Sequence, residues 1–443
     1  MPTTTRPAAS APVWPMPATL GDRMISQMSA RGFILLQTVG RLADEMGLSA
    51  YAVGGFVRDL LMSKTSADID VVVEGDGIAF AKLVGRELDG TVQAHHAFGT
   101  ATITLPDELT LDVATARSET YAQPAALPQV VSGSIMQDLF RRDFTVNAMA
   151  IRLNARRFGE LVDLFGGQRD VQARRLRTLH AKSFLDDPTR IFRAVRLEAR
   201  LGFRMDGETL RHCVEAGRQD LPGHLSGQRL CNELRLILLE AQPEKALARL
   251  GVLKLLRFVH PKLIWTSGMA RRFETVRAAV DRCRKMETGG PHNLWLVYFM
   301  ALVEGLTPNA VQDMMQRLAL PARDVGQVMA GHGREATILR GLAKRPAPKP
   351  SAIYRALDGL ADETVCLLIA RASSEAVRKR LLDYRSQYRD VKLSVTGADL
   401  KALGLTPGPA YKKILTRLLD ARLDGVVRSK ADELKLVAKL ARL

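Results

Sequence analysis

The chain has little cysteine and none of it is paired in sequence. Cys213, Cys231, Cys283 and Cys366 are widely spaced, and no CxxC occurs, so neither a zinc site nor a disulfide framework is expected. The N-terminus lacks a basic stretch followed by an apolar one, so no secretory signal is read. No run of ~18 apolar residues occurs, which leaves no expected membrane span and makes the cytoplasm the default location. No internal repeat at fixed period is found, which sets aside solenoids and propellers.

What is present is a long, basic chain. Its 443 residues are 47% hydrophobic and 25% charged, enough for buried cores and too ordered in composition for a disordered protein. At roughly 150 residues per domain, two to four domains are expected. The formal net charge is +17. That balance favours a polyanionic partner, nucleic acid first and an anionic membrane second. A generally Arg-rich proteome would raise the total without a function, but the excess is clustered. The last 73 residues carry 17 Lys and Arg against 8 Asp and Glu, more than half of the whole excess.

Residues 1 to about 20 are rich in Pro, Ala, Ser and Thr and read as a disordered arm. Apolar spacing over 24–46 predicts one helix, stopped by Gly47. Residues 51–53, 69–73, 100–105 and 109–114 read as strands, and 57–62 and 78–88 as helices. After Gly167 strand signals disappear and long helical patterns follow. They are broken at Leu221-Pro222-Gly223 and at 344–350, whose prolines exclude helix. The fold class expected is α+β: a mixed α/β head, then an all-helical remainder.

The most informative stretch is Gly54-Gly55-Phe56-Val57-Arg58-Asp59, followed by Asp68-Ile69-Asp70-Val71-Val72-Val73. Side chains alternate along a strand, so Asp68 and Asp70 share a face. Two neighbouring carboxylates repel unless a cation lies between them, and Mg²⁺ prefers carboxylate oxygens with water and phosphate. Two such ions can activate an attacking hydroxyl and stabilise a leaving oxygen in phosphoryl displacement. Asp112, on another predicted strand, is a candidate third member. Gly54 and Gly55, between strand and helix, would let a phosphate approach the backbone. Taken alone, an Asp-x-Asp also fits a tight turn with solvent-facing aspartates.

The first stretch resembles the leading motif of the class II tRNA nucleotidyltransferases and bacterial poly(A) polymerases, members of the DNA polymerase β superfamily. Arg141-Arg142-Asp143-Phe144-Thr145-Val146-Asn147-Ala148 resembles that family's second motif without a gap. The resemblance implies a head resembling DNA polymerase β, followed by helical neck, body and tail. The boundaries expected are arm 1–22, head 23–168, neck 169–262, body 263–345 and tail 346–443. It implies Asp68, Asp70 and Asp112 as catalytic residues, with Asp68 and Asp70 holding Mg²⁺. It places Gly54, Gly55, Arg58, Arg142, Asp143 and Asn147 at the nucleotide, with Asp143 and Arg142 on the ribose hydroxyls and Asn147 near phosphate.

Asp163-Leu164-Phe165-Gly166-Gly167 resembles the third motif, a hinge between head and neck. Asp186-Asp187-Pro188-Thr189-Arg190 resembles the fourth, usually Glu-Asp-x-x-Arg, with Asp186 in place of Glu. By that resemblance Asp187 and Arg190 read the Watson–Crick edge of incoming C or A. Arg190, Arg193, Arg196 and Arg200 recur at helical spacing; such stacked charges repel unless an anion sits among them, and a triphosphate would serve. Ser226-Gly227-Gln228-Arg229 resembles a weaker fifth motif that supports the neck. Residues 119–134 are polar, contain Pro124 and read as a loop. In the family this loop is needed for the switch from C to A addition. The helix around 292–306 lacks the His-Asp pair of the phosphohydrolase domain that some members carry; Glu304 stands there. Pro409, Lys412 and Lys413 resemble a tRNA-contacting segment.

The expected activity is addition of CCA to the tRNA 3′ end from CTP and ATP, by a monomer or homodimer that binds no membrane. Poly(A) synthesis and addition of the last A alone share these motifs. A catalytically inactive RNA-binding module is the alternative from another class.

Overall fold

The computed structural model describes residues 20–64, 69–122, 125–126, 128–286, 291–406 and 408–440. Most of the expected arm, and Asp68, lie outside the described residues. The chain divides into two compact units, Met1–His224 and Leu225–Leu443, with the division inside the expected neck.

The first unit opens with α1 (Leu20–Gln27) and α2 (Ala30–Glu45). The single helix expected over 24–46 is therefore two. Ser29 takes an extended conformation and its side chain accepts from the Gly32 N–H at 3.1 Å. A serine that can satisfy an unpaired backbone donor starts a helix more readily than it continues one. There follow β1 (Ser49–Val53), α3 (Gly55–Leu61), β2 (Ile69–Glu74), α4 (Gly77–Glu87), β3 (Thr91–His95), β4 (Thr100–Thr104) and β5 (Thr110–Thr115). Then come β6 (Arg117–Thr120), β7 (Gln129–Ser132), α5 (Ile135–Phe140), β8 (Ala150–Arg152) and β9 (Leu161–Val162).

Seven of these strands form one sheet in the order β3-β4-β5-β2-β1-β8-β9. The β2–β5 pair is parallel and the other neighbours are antiparallel. All four expected strands are present: β4 and β5 alternate buried and less buried residues, whereas β1 and β2 are short, nearly continuous buried runs at the centre of the sheet. One sheet face packs Tyr51, Val53, Val72 and Ala150 against Ile135 and Leu139 of α5. α4 lies on β4 and β5, and α2 on β1.

The polar stretch 119–134 is not a plain loop. β6 and β7 make a two-stranded hairpin in the register Arg117↔Ser132 to Thr120↔Gln129. Val130 and Val131 supply β-branched partners, yet both are exposed, so no burial pattern marked the strand.

The unit closes with α6 (Gly167–Gln172), β10 (Arg175–Leu176), α7 (Ser183–Asp186), α8 (Thr189–Leu201), β11 (Arg204–Met205) and α9 (Gly207–Arg218). β10 and β11 pair in parallel. Two residues are too few for an alternation to show, which is why strand signals seemed to end at Gly167.

The second unit is helical from Gly227–Leu238 to Lys430–Leu440. Helix Leu294–Val303 is buried from Trp295 to Val303. It has 10 residues, and among the described residues no helix is long and apolar enough to cross a membrane. Glu304, beyond its end, pairs with Arg272 at 2.5 Å and with Arg371. The stretch expected to break helix at 344–350 separates helix Glu335–Leu342 from helix Pro350–Leu357, with Pro350 in the first turn where its missing N–H costs nothing. Near the C-terminus, Val395, Leu400, Ile414, Leu418 and Val437 form a small core. The buried Glu433 carboxylate ties it together, accepting from the Ser394 and Val395 N–H groups and from Arg422. Lys412 and Lys413 are exposed on helix Pro409–Leu423, which opens at Pro409, where a missing N–H costs nothing.

Candidate active site

The site begins on the parallel strand pair. Asp70 of β2 and Asp112 of β5 are register partners, so their side chains leave the same sheet face side by side. Both are exposed, while Ile69, Val71, Leu111 and Val113 on the other face are buried. The Asp112 carboxylate accepts from the Thr102 hydroxyl at 2.6 Å, Thr102 being its register partner on β4. Two adjacent solvent-facing carboxylates present oxygen donors of the kind Mg²⁺ takes, and leave room for water and phosphate. The residues present fit such an ion.

Gly54 joins this face to the second motif. Its φ is +71°, in the region that side chains with a Cβ rarely adopt. A Cβ built there would stand 2.8 Å from Arg142 Nη1 and 4.0 Å from Asp70 Oδ2. Glycine at this position keeps the space between the Asp70 carboxylate and the Arg142 guanidinium clear. Gly55 opens α3, which has only 7 residues.

From α3 a single chain of hydrogen bonds crosses the unit. Arg58, buried, donates Nη1 to Asn147 Oδ1 at 2.6 Å. Asn147 Nδ2 donates to Asp143 Oδ1 at 3.0 Å. Asp143 Oδ2 accepts from Arg193 Nε and Nη2 at 2.9 and 2.7 Å. Burial acts to raise the Asp143 carboxyl, but the Arg193 charge and the hydrogen bonds from Asn147, Arg193 and the Phe144 N–H outweigh it and hold the group at about 2. The resemblance places Asp143 on ribose hydroxyls. Here both its oxygens already accept from this chain, so a ribose contact requires exchange with one of those donors.

On the fourth motif, Asp187 Oδ1 accepts from the Thr189 N–H at 2.9 Å and from its hydroxyl at 2.6 Å, one residue ahead of Pro188, the N-cap of α8. Arg190 is buried and gives Nη1 to Ser183 Oγ at 2.8 Å and Nη2 to the Arg141 carbonyl at 2.7 Å. The arginine stripe is not a solvated face. Arg190 and Arg196 are buried, Arg193 is half-buried against Asp143, and Arg200 is exposed. The anion the spacing calls for is, in part, the chain's own carboxylate.

Residues 50–177 match the family described as poly A polymerase head domain. An A-adding tRNA nucleotidyltransferase of Geobacter sulfurreducens is 41% identical over 92% of this chain, which spans only 47% of that relative. An A-adding tRNA nucleotidyltransferase of Halalkalibacterium halodurans is 31% identical, over 90% of this chain and 91% of the relative. A CC-adding tRNA nucleotidyltransferase of Deinococcus radiodurans is 32% identical over 93% and 94%. Among solved structures, a CCA-adding enzyme without ligand superposes with a TM-score of 0.77 at 32% identity, covering 96% of this chain and 99% of that one. The Thermotoga maritima CCA-adding enzyme complexed with tRNA gives 0.70 at 30% identity, over 96% and 99%.

The chain belongs to the tRNA nucleotidyltransferase family. Several residues that organise this nucleotidyltransferase site went unnoticed in the sequence. Asp138, fully buried on α5, accepts from Arg141 Nη2 at 2.7 Å and from Arg142 Nη2 at 2.8 Å, and so aims both arginines of the second motif. Burial acts to raise its carboxyl, but the two guanidinium charges hold it below the ordinary carboxylate range. Its signal was available: Asp138 stands three and four residues before those arginines. Glu119 accepts from Arg117, Arg141 and the Tyr121 hydroxyl, joining the β6–β7 hairpin to the motif. Ser183 seats Arg190. The third motif is a turn here. Asp163 accepts from the Gly167 and Gln168 N–H groups at 2.7 and 2.9 Å, and a Cβ on Gly167 would lie 2.3 Å from the Thr145 carbonyl oxygen.

Beside Arg190 a cleft of about 820 Å³ opens, lined among others by Tyr121, Phe140, Phe165, His180 and Asp186. Of the two motif aspartates, Asp186 lines this cleft, while Asp187 holds the helix start.

Proposed function

We propose that this chain adds nucleotides without a template to the 3′ end of tRNA, completing CCA from CTP and ATP. The observation that carries the reading is the continuity of the site: the exposed Asp70–Asp112 pair and the Gly54 space lie beside the second motif, and the network Arg58–Asn147–Asp143–Arg193 ends on α8, whose Arg190 lines the cleft. Solved relatives described as complexes of CCA-adding enzyme with ATP, CTP and tRNA support it.

In this reading Mg²⁺, held by Asp68 and Asp70 with Asp112 beside them, supplies charge neutralisation at the reacting phosphate when bound. Arg142, at the mouth of the Gly54 space, orients the triphosphate with a planar fork suited to phosphate oxygens. Asp143 acts as a positioning residue that fixes Arg193 and Asn147. Arg190 and Asp187 or Asp186 discriminate the base. Lys412, Lys413 and the basic tail hold the tRNA backbone, and the cytoplasm is the proposed location.

Addition of the terminal A alone is the second reading, favoured by the A-adding names of the Geobacter and Halalkalibacterium relatives. Three tRNAs separate the cases: one ending before the first C, one after CC and one after CCA, each offered CTP and ATP separately. CCA addition gives C on the first and A on the second. Incorporation of A only after CC supports the second reading, and A tracts on all three indicate poly(A) synthesis. No incorporation on any, with Mg²⁺ supplied, overturns the enzymatic reading in favour of an inactive RNA-binding module.

A further inference from the structure

We propose that Phe140 is the platform on which the base of the incoming nucleotide stacks, an inference that rests on the nucleotidyltransferase reading above. Phe140 ends α5, and its side chain is 50% exposed, unusual for a phenylalanine next to a folded core. It is not a loose surface ring. His180 lies against it at 5.2 Å between centroids with a 31° tilt, and Phe165 at 6.0 Å with 39°. Two aromatic neighbours hold its ring, and Phe140 lines the cleft.

The chemistry of the cleft selects a nucleobase. Rings and hydrocarbon from Tyr121, Met136, Phe140 and Phe165 form its apolar walls, and charged groups from Glu119, Arg141, Lys182, Asp186 and Arg190 stand around them. Such a lining suits a flat occupant with apolar faces and hydrogen-bonding edges. A purely apolar ligand would set hydrocarbon against those charges at a desolvation cost, which a base with hydrogen-bonding edges offsets.

Position selects the incoming nucleotide over a base of the tRNA. Phe140, Arg141 and Arg142 are consecutive. Phe140 and Arg141 line the cleft, and Arg142 reaches the Gly54 space beside Asp70. Two residues of chain span at most ~7 Å. That is of the order of the distance from a base across its ribose to the first phosphate. One ligand can therefore lie on Phe140 and place phosphate at Arg142 and the carboxylates.

The test uses the full chain with Phe140→Ala, Phe140→Tyr and wild type. It measures KM for ATP, CTP and tRNA, kcat, and inhibition by ribose 5-triphosphate, which has no base. Loss of one base–aromatic stack raises the ATP and CTP KM about 5- to 150-fold in Phe140→Ala. The tRNA KM and the ribose 5-triphosphate inhibition constant stay within twofold, and Phe140→Tyr restores the nucleotide KM. Equal weakening of nucleotide and base-free triphosphate would make Phe140 a structural residue and overturn the proposal. So would a rise confined to the tRNA KM, or no change at all. A wild-type chain that incorporates no nucleotide and does not bind ATP by equilibrium dialysis overturns the function reading itself, and the platform with it. Wild-type incorporation with an indifferent Phe140→Ala overturns the platform alone.

Discussion

Asp143 and Arg193 offer the sharpest energetic test of the site. The carboxylate is 6% exposed and held at about 2, against an ordinary 3.8. A folded-state value below the unfolded one stabilises the protein above the unfolded value, and the gain is lost as pH falls through the folded one. The full depression corresponds to roughly 2 kcal/mol at pH 7 and to about half of that at pH 3. Only part belongs to Arg193, since Asn147 and the Phe144 N–H also lower the group. The Arg193 side chain is 38% exposed, so solvent screens its share. A coupling of about 1–2 kcal/mol at pH 7 is expected, falling by about half at pH 3. A double-mutant cycle of Asp143→Asn and Arg193→Met, followed by urea unfolding at the two pH values, measures it and subtracts whatever else Arg193 touches. A coupling below about 0.3 kcal/mol at pH 7, or one that does not shrink at pH 3, would refute the reasoning.

Three further outcomes follow from the geometry. Gly54→Ala places a Cβ 2.8 Å from Arg142 Nη1 in a positive-φ conformation that costs about 1–3 kcal/mol; nucleotide incorporation should fall at least about tenfold while tRNA affinity, read by filter binding, is unchanged. Arg190→Ala removes a group that supports Ser183 and the Arg141 carbonyl. It should lower thermal stability and, by loss of roughly 1–3 kcal/mol of discrimination, raise UTP and GTP misincorporation relative to CTP and ATP; a uniform loss with unchanged ratios would remove Arg190 from base selection. Replacing the exposed Lys412 and Lys413 by Gln should make the slope of log K for tRNA against log salt shallower by about 2, with little effect on nucleotide KM.

The local parts of this site were legible in the sequence, and the long-range parts were not. Asp70 and Asp112 showed themselves because each sits in a short β-branched run that reads as a strand, although nothing local announced that the two strands are neighbours. The Arg stripe was seen as a face but not as a buried one, since spacing reveals direction around a helix and not what packs there. The partners that settle its state lie far off in sequence: Arg193 meets Asp143 across 50 positions, and Arg58 meets Asn147 across 89. The hairpin was missed for the converse reason. Its valines face solvent, so it has strand geometry without strand burial.

That hairpin stands on a fixed foot. The Ala116 N–H donates to the Val73 carbonyl, the Gly133 N–H donates to the Ala116 carbonyl, and Glu74 accepts from the Ile135 N–H, each within 2.8 Å. Both legs are thus clamped to the end of β2 before the chain departs. Residues can be gained or lost between Thr120 and Gln129 without moving the strand that bears Asp70 or the helix that bears Asp138. Closing a somewhat longer loop adds only about 0.6 kcal/mol per doubling of its length. Natural selection therefore has, at this one place, a part whose size can drift freely beside the Arg190 cleft while the head keeps its architecture.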